Sequence, residues 1–128
     1  MIKLFSQYKF FFYLLNLILI TLYLSPTTTV SVFFHNDLYF YSQINPDFKV
    51  SANHIYVFLI FSFVGFLTYQ KLKNFIILSI YLILLSIILE LTHLLIPYRG
   101  FEFADLFGNI IGVILASIIS YFYNKFKN

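Results

Sequence analysis

The chain contains no cysteine, which excludes disulfides, thiolate metal sites and a cysteine nucleophile. Any chemistry must come from His, Glu, Asp, Arg or hydroxyl side chains. Charge is scarce as well. Of 128 residues, 8 are basic and 5 acidic, 10% in all, against roughly 25% in soluble domains. So few charges cannot cover the large relative surface of a small soluble domain. Hydrophobic residues make up 61% of the chain and the mean hydropathy is +0.89, a composition that makes the lipid bilayer the first partner. The bases behind the net charge of +3 stand at segment ends and form no stripe, so nucleic acid is not expected as a partner.

The few charges divide the chain into four apolar runs, each near the ~20 residues that a ~30 Å hydrocarbon core requires. They predict helices over residues of about 9–25, 53–71, 74–96 and 104–123. Strands are rejected, since apolar residues run continuously on every side and a lipid-facing sheet edge could not satisfy its backbone. The expected fold is an all-α membrane protein: one domain over residues 1–128, built as a bundle of four transmembrane helices. The connection of residues 25–53 carries an aromatic patch, Phe33, Phe34, Tyr39, Phe40 and Tyr41, suited to a membrane interface. The short hinge from Lys71 to Asn74 predicts that helices two and three pack together.

Lys3, Lys9, Lys71, Lys73, Lys125 and Lys127 fall on one face of such a bundle, while Lys49, Arg99 and all the acids (Asp37, Asp47, Glu90, Glu102 and Asp105) fall on the other. The positive-inside rule then predicts cytoplasmic termini in a multi-pass protein of the inner (plasma) membrane. A cleaved signal peptide is the weaker alternative for the first run. Lys3 and Lys9 make a basic start, but no A-x-A-like site follows Leu24.

Ionisable groups at membrane depth are the informative ones. Glu90 stands six residues before Ile96, where the predicted helix ends, roughly 9 Å below that outer end. Ser79, Ser86, Glu90, His93 and Pro97 share an arc of about 60°, and Glu102, Asp105, Asn109, Gly112 and Ala116 one of about 80°. Helix two offers His54, then Ser62, Gly65 and Thr68; the first helix offers only Asn16 and no coherent stripe. The candidate ligand-binding residues are therefore His54, Glu90, His93, Arg99, Asp105 and Asn109. The two polar stripes should bring Glu90 near Asn109 or Arg99.

Blander roles exist for several of these. Asn109 could hydrogen-bond across a helix pair, Asp105 could favour the start of helix four, and Arg99 could tie its loop to Glu102 or Asp105. Glu90-x-x-His93 has the spacing of carboxylate-bridged metal bundles, but the second such motif is missing. His54 and Asp105 could still complete a single-metal site. The expectation is no metal and no cofactor. A triad on Ser79 or Ser86 lacks a nucleophile elbow. His35, in the long connection, reads as a solvated residue. Gly108-x-x-x-Gly112, followed by Ala116, permits close helix approach, within the monomer rather than at a dimer seam.

The stretch that holds Glu90, His93, Pro97, Arg99, Asp105, Asn109 and Gly112 resembles the VanZ-like family of small bacterial membrane proteins. There a helix ends with a Glu, a Gln three places on, a Pro and an Arg, and the next helix opens with Asp, Asn and Gly. Leu24-Ser25-Pro26 is similar to the end of the family's first helix, and His54 to the His that opens its second. The chain departs from the pattern in having Val50 and Ser51 in place of an Asp-Lys pair, and His93 in place of the Gln. An amide that is no ligand at that position argues further against metal. The family takes its name from a protein associated with resistance to the lipoglycopeptide teicoplanin, and the resemblance implies a cell-envelope role without assigning a reaction. The expected function is to bind a polar or anionic envelope component, such as a lipid headgroup, a lipid-linked precursor or a lipoglycopeptide, at the outward face. Catalysis on a lipid-linked substrate, with Glu90 or His54 as base, and a ligand-free assembly role are the alternatives.

Overall fold

A computed structural model describes residues 2–25, 39–41, 49–96 and 99–127. Pro26, Phe33, Phe34, His35, Asp37, Asp47 and Pro97 lie outside them, as do the side chains of Lys3 and of Tyr39–Tyr41. The described chain is helical apart from one ribbon: α1 (Ile2–Leu24), β1 (Tyr39–Tyr41), β2 (Lys49–Ser51), α2 (Ala52–Thr68), α3 (Leu72–Thr92) and α4 (Phe103–Lys127). The ribbon is a correction to the helix-only expectation. It pairs β1 and β2 antiparallel, with Phe40 opposite Val50 and Tyr39 opposite Ser51, and delivers the chain directly into α2.

The helix limits also move. The predicted 53–71 ends at Thr68, and the predicted 74–96 runs from Leu72 to Thr92. After Thr92 the chain tightens, with Leu94 N–H on the Leu91 carbonyl and Leu95 N–H on that of Thr92. These three-residue turns end α3 ahead of Pro97, whose ring disfavours helix in the residue before it. By length and composition two helices, α3 and α4, can cross a membrane, while Tyr8–Leu24 and Ala52–Thr68 form shorter apolar helices. At 1.5 Å per residue, the 17 residues of α2 span roughly 25 Å.

Apolar surface and polar interior are inverted relative to a soluble domain. Ile76, Ile77, Ile80, Leu84 and Ile88 lie exposed along α3, whereas Ser86 and Glu90 on the same helix, like Ser62, Asn109 and Ser120 elsewhere, are buried. The core between the helices is built from Phe12, Leu19, Phe58, Phe61, Phe66, Leu82 and Val113. The Phe12 and Phe61 rings stack 5.2 Å apart.

The dominant interface is α2 on α4, while α2 and α3 touch only modestly. Helices two and three do pack together, as the short hinge predicts, but the larger interface is elsewhere. Glycine decides the pairing. A Cβ on Gly108 would lie 2.6 Å from the Ser51 carbonyl oxygen and 2.9 Å from His54 Cβ; one on Gly112 would lie 2.6 Å from the Ile55 carbonyl oxygen and 2.9 Å from the Leu59 nitrogen. The small-residue ladder is thus used up inside the monomer, with Ala116 also fully buried.

Since the atoms in the way are backbone, Gly112→Ala must push two helices apart. The substitution should cost about 1–3 kcal/mol in thermal unfolding in detergent, with oligomeric state unchanged. Gly100→Ala, which meets nothing within 4 Å, should stay within about 0.5 kcal/mol of the parent. Equal stability of the two variants would contradict the close approach.

Candidate functional site

Tyr23 is the penultimate residue of α1, His54 the third of α2, Glu90 the third from the end of α3 and Asp105 the third of α4. Contacts among these residues bring the four helix ends together, so successive helices run in opposite directions. The other end is tied by a Tyr13–Tyr69 hydroxyl bond of 2.8 Å and by the Phe66–Phe75 ring pair. There Lys9 stands over the Tyr69 ring.

The centre of the site is a chain of three side chains. Arg99 Nη1 donates to His93 Nε2 at 2.6 Å and to the Tyr23 main-chain oxygen at 3.0 Å. A guanidinium can only donate, so His93 Nε2 must accept. Its proton then sits on Nδ1, which donates to Glu90 Oε1 at 3.1 Å. That tautomer makes the 3.1 Å approach of Nε2 to the Tyr23 oxygen a contact of two acceptors that share the Nη1 donor. Burial draws the Arg99 guanidinium below its ordinary pKa, but arginine stays charged. A cation is thus linked through a neutral imidazole to a carboxylate that has no exposed surface.

Around this chain the remaining candidates fall into two groups. Asn109, fully buried, accepts from the Tyr23 hydroxyl at 2.7 Å and donates to the Ser86 carbonyl at 3.3 Å, so its amide ties α1 and α3 onto α4. His54 and Asp105 form the second group: His54 Nδ1 is 3.3 Å from Asp105 Oδ1 and 2.8 Å from Ser51 Oγ. A catalytic triad needs acid and hydroxyl on opposite ring nitrogens; here both address Nδ1. Ser79 and Ser86 bond the carbonyls of Phe75 and Ile83 on their own helix, which leaves the serine-nucleophile reading without its geometry.

Glu90 points inward as expected, though its described partners are His93 and, at 3.5 Å, the Glu102 N–H, with His54 and Asp105 close by. It bonds neither Asn109 nor Arg99 directly. Among the described residues, both side-chain hydrogen bonds of Arg99 go to Tyr23 on α1 and to His93 just after α3, so the alternative role of tying the loop to Glu102 or Asp105 is not what these bonds show. A pair of residues escaped the sequence reading. Tyr23 lies on a buried stripe with Phe12 and Leu19, stacks on the His93 ring at 5.4 Å and touches the site with both hydroxyl and carbonyl. Its spacing, eleven residues after Phe12 and four after Leu19, was the available signal. Ser51 precedes α2 at an N-cap position but spends its hydroxyl on His54 instead of the backbone.

The tautomer yields a test. A glutamine at position 93 offers one acceptor for Arg99 and one donor for Glu90, so His93→Gln should hold detergent-solubilised stability within about 1 kcal/mol. His93→Leu, which strands a buried carboxylate and a guanidinium, should cost about 3 kcal/mol. Comparable losses in both variants, measured by thermal unfolding, would contradict the relay. Comparison with known protein families, with curated proteins and with solved structures gives no match for this chain.

Proposed function

We propose that the chain is a VanZ-like, four-span protein of the inner membrane with cytoplasmic termini, and that its outward-facing polar end binds an anionic component of the cell envelope. The observation that carries the reading is the attachment of Arg99. It is half-buried at the meeting point of four helix ends, and among the described residues both of its side-chain hydrogen bonds leave from the single nitrogen Nη1. The rest of the planar fork suits a phosphate or carboxylate. Exposed aliphatic residues along α3 and alternating helix directions support a multi-pass bundle. The sorting of lysines to one end and acids to the other supports the orientation.

Two experiments bear on this. Cysteines introduced at Asn128 and Asn45 should differ in intact cells, an impermeant thiol reagent reaching Asn45→Cys and missing Asn128→Cys; the reverse pattern overturns the orientation. For the ligand, mass spectrometry of the purified protein should find a phosphate- or carboxylate-bearing molecule that is lost in Arg99→Ala. It should fall nearly as far in Arg99→Lys, which keeps charge but loses the fork. If Lys supports full retention, the pairing is a simple exposed charge contact worth about 0 to 1 kcal/mol, and the recognition role falls.

A further inference from the structure

One buried group is left unexplained by the relay. Glu90 Oε1 takes the His93 N–H, yet Glu90 Oε2, also buried, has no hydrogen-bond partner among the described residues. Burying a carboxylate oxygen without a donor is expensive. Among the described residues no lysine or arginine pairs with it, and α2 and α4 instead present His54 and Asp105. A ring nitrogen of His54, a carboxylate oxygen of Glu90 and one of Asp105 all lie within 4.8 Å of one another.

We infer that His54, Glu90 and Asp105 form a binding site for one divalent cation, of which Zn2+ is the best fit to the donors. One imidazole and two carboxylates are ligands that zinc accepts, at roughly 2.0–2.2 Å, and three protein ligands leave a coordination position open. In a tetrahedral site, ligand atoms at that range stand about 3.4 Å apart, so the widest separation, up to 4.8 Å, has to close by about 1.4 Å through rotation of the carboxylates. The His54–Asp105 pair, at 3.3 Å, already has a suitable separation. Electrostatics agree: Glu90 and Asp105 outweigh Arg99, and a dication meets a net negative cluster. His93 lies outside the ligand set. It holds Glu90 by the other oxygen, as outer partners of metal ligands do, so an amide at that position in related sequences does not weigh against this site. Ser51 Oγ, 2.8 Å from the same His54 Nδ1, has to release that nitrogen when the ion binds. The inference goes beyond the anion-binding reading and does not depend on it.

The test uses the full chain, purified in detergent, stripped with a chelator, incubated with Zn2+ and desalted. Elemental analysis should give about one zinc per chain. His54→Ala and Asp105→Asn should each weaken retention at least tenfold, while Glu102→Gln, an exposed acid close in sequence, should bind as the parent does. Co2+ added to the parent protein should develop the strong visible bands of a four- or five-coordinate ion, a readout independent of variant folding. Zinc below about a tenth of an equivalent, retention unchanged in His54→Ala, or only the weak spectrum of six-coordinate aqueous Co2+ would each overturn the site. Zinc is counted with no lipid or anion added, so failure here is distinct from failure of the ligand experiment on Arg99.

Discussion

At Gly108 and Gly112 the backbone of α4 closely approaches the main chain of Ser51 and of α2, and the Cβ atoms of His54 and Phe58. Everything at the polar end follows from this approach. Asp105 stands one turn before Gly108, and the atoms that crowd Gly108 are the Ser51 carbonyl and the His54 side chain, so the residue that removes a Cβ also sets Asp105 beside His54. A larger residue would widen the helix pair by the thickness of a methyl group and separate the two. In lipid, where apolar contact with a neighbour gains little over contact with acyl chains, such close packing is a main source of helix association.

The polar groups then organise around buried charge. Glu90 is fully enclosed, and an enclosed carboxylate demands partners. One oxygen is met through His93 by Arg99, which anchors itself on the last turn of α1. Carbonyls of a last turn lack intrahelical donors and carry the negative end of the helix dipole, so the Tyr23 oxygen is a natural seat for a guanidinium. The other oxygen faces α2 and α4. Asn109 closes the assembly by bonding α1 and α3 at once.

Much of this was legible in sequence, for identifiable reasons. In a chain with so few charges, each ionisable residue at helix depth stands out, and His54, Glu90, His93, Arg99 and Asp105 do meet at one end. Helical spacing put Glu90 and His93 on one face, and short loops alternated the helices. What stayed hidden was the dominant partner. Hinge length says which helices are adjacent in sequence, but the α2–α4 interface depends on two glycines whose benefit appears only when a facing backbone is known. Tyr23 went unnoticed because, on a helix apolar all round, residues that face lipid and residues that face protein look alike. The β ribbon is only three residues on each strand, too short for an alternating pattern to register.

The anchoring of Tyr23 bears on the order of assembly. Its carbonyl accepts from Arg99, 76 residues later, and its hydroxyl donates to Asn109, 86 residues later. Chains emerge from the ribosome N-terminus first, so α1 leaves long before either partner exists. A nascent chain stalled before Arg99 lacks both of these polar ties, so the end of α1 is fastened by them long after α1 itself is made.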